Sequence, residues 1–126
     1  MTDKQRQFGQ RHTPLEIRVN RPNKTLDIDF DNGSNFSIAI ELLRVESPSA
    51  AVQGHAPSQK TLVSGKRNIT INSIQPIGNY AIQIGFDDGH DSGYFTWNLL
   101  YSFGEHQNEM WENYLENLEK ARQSRD

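Results

Sequence analysis

The sequence predicts an α+β fold: a small, mainly antiparallel β-sheet domain built from hairpins, with short helices and a C-terminal amphipathic helix. Three features carry this expectation. Apolar residues alternate with polar ones in several short runs, two of those runs end in Asn-Gly or Asp-Gly, and a later stretch repeats its apolar residues every three to four positions.

The first alternation begins at Leu15, with Ile17 and Val19 set against Glu16, Arg18 and Asn20 before "RPNK" turns the chain. Leu26, Ile28 and Phe30 then alternate with Asp27, Asp29 and Asp31, which puts apolar side chains on one face and carboxylates on the other. Asn32-Gly33 suits a two-residue hairpin turn, so a return strand is expected near 34–38. In "IAIELLRV", Ile38, Leu42 and Val45 fall at helical spacing, and Ser47-Pro48 closes a short helix.

Residues 46–67 are rich in Ser, Gly, Pro, Ala and Gln and show no sustained period, so they read as a long loop with a short strand near 61–63. Ile69 and Ile71 alternate next, Pro76 and Gly78-Asn79 make a turn or bulge, and Tyr80, Ile82, Ile84 and Phe86 alternate again. Asp88-Gly89 is the second hairpin signal, with its return strand from His90 to Phe95. Thr96 is placed to cap a helix running through Tyr101, with Gly104 as its stop. The last helix carries Met110, Trp111, Tyr114, Leu115, Leu118 and Ala121 on one stripe, which is a core-packing pattern.

Two stretches resemble each other. "LDIDFDNGSNFSIAIELLR" (26–44) and "IQIGFDDGHDSGYFTWNLLY" (82–101) each read as strand, Phe-Asp-[Asn/Asp]-Gly turn, aromatic-bearing return strand and helix with paired leucines. A pseudo-twofold pair of strand–hairpin–helix units is expected, with Ser34 standing where His90 stands in the second copy.

At 126 residues the chain has room for a single core. Residues 1–13 read as a disordered leader, 14–122 as one domain and 123–126 as a frayed end. Six Phe, four Tyr and two Trp supply bulk to an otherwise polar composition. There is no cysteine, which excludes disulfides, thiolate metal sites and cysteine nucleophiles. No secretory h-region and no run of about 20 apolar residues is present, so a cytoplasmic location is expected, with no membrane contact.

The net charge of −3 is uneven, with six Lys/Arg against two acids over residues 1–25 and five against nine over 61–126. Six spaced charges without interleaved aromatics describe a solvated terminus better than a nucleic-acid arm. Nucleophile and nucleotide motifs are missing, since neither G-x-S-x-G nor a phosphate-binding glycine loop occurs. Lys66-Arg67 is a basic pair of ordinary surface type.

The densest chemistry lies in "GFDDGHDSGYFTW" (85–97), where Asp87, Asp88 and Asp91 surround His90. One reading is a metal site, with the 46–67 loop bringing His55 to His90 and with Asp91 or Asp88 as third ligand. The other is a tight turn whose carboxylates face water and whose histidine is hydrogen-bonded within its own hairpin.

In "SPSAAVQGH", "GKRNITI", "PIGNYAIQIGFDDGHDSGYFTWNLLYSFG" and "WENYLENL" the chain resembles a bacterial family, known as a domain of unknown function, that is named for its similarity to the N-terminal domain of gamma-butyrobetaine hydroxylase. The resemblance spans roughly Pro14 to Leu118. It implies a small α+β domain that accompanies other activities, fused ahead of an iron- and 2-oxoglutarate-dependent oxygenase or attached to P-loop iron–sulphur carriers. In the hydroxylases this domain holds zinc through Cys-x-Cys-x-x-Cys and a later histidine. Those positions correspond to Ser47, Ser49, Val52 and His90 here, so that structural zinc is not expected and no resident cofactor is assigned. The oxygenase's catalytic domain and its iron-binding motif have no counterpart in these residues, so the resemblance implies no enzyme activity. The expected function is a non-catalytic binding or accessory module that contacts a protein partner, linked to metal or iron–sulphur handling. The alternative is a metal- or small-ligand-binding domain that uses His55, His90, Asp88 and Asp91.

Overall fold

The computed structural model describes residues 12–126. Of the expected leader, residues 1–11 lie outside the described residues. His12 and Thr13 are held by the domain: the His12 ring stacks on Tyr101 at 3.8 Å, and Thr13 O accepts from Asp31 N at 2.9 Å.

Two three-stranded antiparallel sheets form the β part. In the first, β2 (Thr25–Phe30) lies between β1 (Pro14–Asn20) and β3 (Asn35–Ala39). In the second, β5 (Ala81–Phe86) lies between β4 (Ile71–Ile77) and β6 (Tyr94–Thr96). Short helices α1 (Ile40–Val45) and α2 (Ala50–Gln53) follow the first sheet, and α3 (Trp97–Lys120) follows the second. The α+β expectation therefore holds. Period-two burial drives it: Leu26, Ile28 and Phe30 on β2 are buried, as are Ile82, Ile84 and Phe86 on β5. These side chains join Leu42, Leu43, Leu100, Phe103, Tyr114 and Leu118 of the helices in one continuous core.

The two units repeat one another bond for bond. Phe30 N donates to Ser34 O at 2.8 Å and Phe86 N to His90 O at 2.9 Å, across turns whose Gly33 and Gly89 both have φ of 89°. Asp31 N donates to Thr13 O as Asp87 N does to Thr70 O, and Ile40 N donates to Lys24 O as Trp97 N does to Tyr80 O. Each first strand also shifts register at its start, between Pro14 and Glu16 and between Ile71 and Ser73.

Several elements differ from the sequence expectation for tertiary reasons. Leu15 sits at the first irregularity and is 72% exposed instead of inward-facing. Pro76 lies inside β4 opposite Ile82, which an edge strand tolerates because its missing N–H costs no ladder bond on the open side. The return strand of the second hairpin starts at Tyr94, because Gln83 Nε2 donates to Asp91 O at 2.7 Å and occupies that carbonyl. The 46–67 segment carries α2 and a 3-10 turn at Pro57–Gln59 and has no strand near 61–63. Residues 123–126 are fastened: Ser124 O and Arg125 O accept from the N–H groups of Gly65 and Arg67. Among the described residues, no helix is long and apolar enough to cross a membrane.

Gly104 does not end a helix. Thr96 caps α3 through Leu99 N at 3.1 Å, and the helix then runs unbroken to Lys120. The glycine is there for closeness, since a Cβ at Gly104 would overlap the Phe36 ring of β3. Gln107 reinforces this contact by accepting from Ala39 N at 2.9 Å and donating to Ser37 O at 2.9 Å, which covers the free edge of β3. Gly104→Ala should therefore destabilise the protein by about 1–3 kcal/mol through overpacking, although alanine is the better helix former by about 1 kcal/mol. Chemical denaturation of Gly104→Ala and of Gly104→Ala with Phe36→Ala checks this, and the second change should recover part of the loss.

Candidate functional site

The second hairpin meets the segment between α1 and α2. Its turn is set by Asp87 and Asp88. Asp87 exchanges bonds with Thr70, Oδ1 accepting from Thr70 N at 3.1 Å while Asp87 N donates to Thr70 O at 3.0 Å. Asp88 Oδ1 accepts from His90 N at 3.1 Å, the local turn bond that suits this residue before glycine. Asp88 Oδ2 receives Arg44 Nε at 2.8 Å and Lys66 Nζ at 2.7 Å. The Asp88 side chain is only 18% exposed. Burial alone would raise its pKa, but the Lys66 bond, the His90 N–H and Arg44 outweigh it and hold the carboxyl well below the usual range.

His90 reaches across to the other segment. Its Nε2 lies 2.9 Å from Oγ of Ser47, a side chain with no solvent exposure. Ser49 N donates to the same Oγ at 3.3 Å, and the hydroxyl can either give its hydrogen to Nε2 or accept one from it. Burial, then the Arg44 charge, push the His90 pKa down and keep the ring neutral. Ser49 caps α2 through Ala51 N at 3.1 Å, and its Oγ lies 2.6 Å from Ser92 Oγ. Gln53 Nε2 donates to Ser47 O at 2.9 Å, and Gly93 packs so tightly on Ser47 Oγ that a Cβ there would overlap it. Together these bonds form a polar seam joining hairpin 87–93 to residues 44–53.

Of the four residues expected to hold a metal, Asp88 and His90 are joined within one turn. Asp91 is exposed and contributes its backbone carbonyl to Gln83, while exposed His55 is bonded through its backbone N–H to Gln59 Oε1 at 3.0 Å. Among the described residues, no three His, Asp or Glu side chains come together to hold an ion. The seam does not fit the zinc of the related hydroxylases either. Two serine hydroxyls bonded to neighbours and the buried side chain of Val52 stand where thiolates are needed. Sequence reasoning overlooked Arg44 and Ser92, and it read Lys66 as ordinary surface where the structure pairs it with Asp88. The Ser47-Pro48-Ser49 stretch, placed directly before α2, was the available signal for a cap.

A second region lies along α3. Val45, Leu62, Val63 and Tyr114 line a groove of about 380 Å³, with Lys60 and Lys120 at its sides. Tyr114 donates its hydroxyl to Val63 O at 2.7 Å, and Lys60 pairs with Glu46 at 2.5 Å.

Comparison with known proteins gives a consistent picture. Residues 17–101 match the family model described as gamma-butyrobetaine hydroxylase-like, N-terminal. One protein with an NMR solution structure is 44% identical, with a TM-score of 0.81 over 94% of this chain and 88% of its own. A second NMR solution structure is 40% identical, with a TM-score of 0.78 over 91% of this chain and 90% of its own. A crystal structure of a protein of unknown function in the DUF971 family, from Acidithiobacillus ferrooxidans, is 35% identical. It covers 70% of this chain and 88% of its own, with a TM-score of 0.59. No curated protein matches the chain.

The seam sets the pH dependence of stability. Both folded pKa values are depressed, so each group's contribution is complete above its unfolded value and is lost as pH falls through the folded one. For His90 the loss begins below about pH 6.5, and for Asp88 below about pH 3.9. Thermal melts from pH 8 to 3 should show wild-type stability falling below about pH 6.5, with that limb flattened in His90→Gln. Asp88→Asn should lose about 1–3 kcal/mol at pH 7, because it leaves Arg44 and Lys66 without their shared anion.

Proposed function

The chain belongs to the gamma-butyrobetaine hydroxylase-like N-terminal domain family, and from that premise we propose that it is a non-catalytic accessory module, working in the cytoplasm by contacting a protein partner. The observation that carries this reading is the commitment of the hairpin's reactive groups to structure. Asp88 is neutralised by two cations and His90 faces a buried hydroxyl, so the densest titratable cluster fastens one segment of the domain to another. A general base needs an accessible lone pair and a pKa near the working pH. Asp88 is held too acidic for that, and Nε2 of His90 is already engaged with Ser47.

The resemblance to domains that accompany an oxygenase or an iron–sulphur carrier directs the search for a partner towards iron and iron–sulphur handling. Affinity capture from native extract at several salt concentrations, with and without chelator, is the test. A specific protein recovered equally in both arms is expected. Recovery of nothing above background under all conditions, or turnover of a small molecule by the purified protein, would remove the proposal. Near-stoichiometric Zn²⁺ is further expected to leave the His55 and His90 ring resonances unmoved in NMR spectra, and a joint shift of the two would point to a metal module instead.

A further inference from the structure

Glu41 is the one acid buried among the described residues, 6% exposed on the core side of α1. Its partner comes from the segment after α3. Arg125 grips it with a two-pronged fork, Nη2 to Oε1 at 2.7 Å and Nε to Oε2 at 2.9 Å. The Arg125 guanidinium also lies 4.9 Å from the centre of the Trp111 ring. The backbone of the same segment is read by alternate N–H groups, Gly65 N to Ser124 O at 2.9 Å and Arg67 N to Arg125 O at 3.0 Å. The Arg67 side chain pairs with Asp126.

This is the layout of a seat for a short peptide: two backbone donors hold consecutive carbonyls, Glu41 and Trp111 take the arginine side chain, and the Arg67 cation meets the acid that follows. The groups that hold the segment belong to α1, α3 and the 65–67 stretch. The segment occupying it turns away from α3 at Arg122, which adopts φ of 55°, and it buries no apolar side chain. Such a segment holds by its ion pairs, two backbone hydrogen bonds and the cation–π contact, so a guanidinium offered in trans competes for the same carboxylate.

We propose that Glu41, Trp111 and the Gly65–Arg67 backbone form a recognition site for a short peptide bearing arginine followed by an acidic residue, and that residues 124–126 occupy it as an internal competitor. This rests on the reading of the chain as a partner-binding module and gives the partner its chemistry.

The test uses the full chain with Arg125→Ala and the capped peptide Gln-Ser-Arg-Asp supplied in trans. Saturable shifts of the Trp111 indole and of the Gly65 and Arg67 amides are expected. The apparent affinity should be about tenfold or more above that for wild type, whose own segment competes. Adding Glu41→Gln to Arg125→Ala, or replacing the peptide's arginine with alanine, should abolish the shifts. A folded Arg125→Ala protein that shows no shift, or binding indifferent to Glu41, overturns the proposal. Hydrogen exchange on wild type gives a second measure that needs no variant. The Gly65 and Arg67 amides should exchange well before those of Leu26 and Ile84, and equal protection would make the segment part of the core and overturn the proposal. Capture from extract reads the whole surface whereas the peptide reads this seat, so the two experiments fail separately.

Discussion

The structure depends on the reach of each hairpin turn into the helix of the other unit. Asp88, in the second turn, is bonded to Arg44 at the end of α1, and Asn32, in the first turn, donates to Tyr101 Oη in α3 at 2.9 Å. Arg44 follows Ile40 by four residues and Tyr101 follows Trp97 by four, so these are the same two positions in the two copies. A three-stranded sheet with one apolar face cannot stand alone in water. Crossing the contacts ties the burial of each sheet to the placement of the other's helix, and the single continuous core is the consequence.

Within that frame the two copies have diverged in charge. The first turn meets its helix through neutral groups, Asn32 and Ser34 both within hydrogen-bond range of the Tyr101 hydroxyl. The second does so through an anion between two cations, and the residue matching Ser34 is His90. The first anchor carries no charge, whereas the second joins an anion to two cations beside a histidine, so a fall in pH weakens the second anchor. The extra cation, Lys66, enters from the 65–67 stretch, which also supplies the backbone donors for Ser124 and Arg125. Glu41, three residues before Arg44 on the same short helix, holds the guanidinium of Arg125, whose backbone that stretch holds.

Much of the fold was legible in the residues. Alternation fixed which side chains of β2 and β5 turn inward, and Asn32-Gly33 and Asp88-Gly89 marked turns that need positive φ. The likeness of 26–44 to 82–101 was visible as letters and reappears as matched hydrogen bonds. What could not be read depends on neighbours distant in sequence. Gly104 looks like a helix stop until Phe36 is placed against it, and Leu15 looks inward until the register slips beside it. The candidate site shows the same division. The turn bond between Asp88 and His90 is local and was readable, whereas Ser47, Arg44 and Lys66 arrive from other parts of the chain.

Glu41 shows how a local rule broken within an element can still be informative. In "IAIELLRV" the inward stripe of Ile38, Leu42 and Val45 passes through position 41, so a helix reading already places a carboxylate towards the core. An unpaired acid there would be costly, and a fold that keeps one must bring a permanent cation with fork geometry to it. Among the described residues the arginine that does so sits beyond the last helix, on a segment with no apolar anchor of its own. A core charge satisfied from beyond the last helix ties that segment to α1, and exchange with an outside guanidinium is what would separate a binding seat from a structural ion pair.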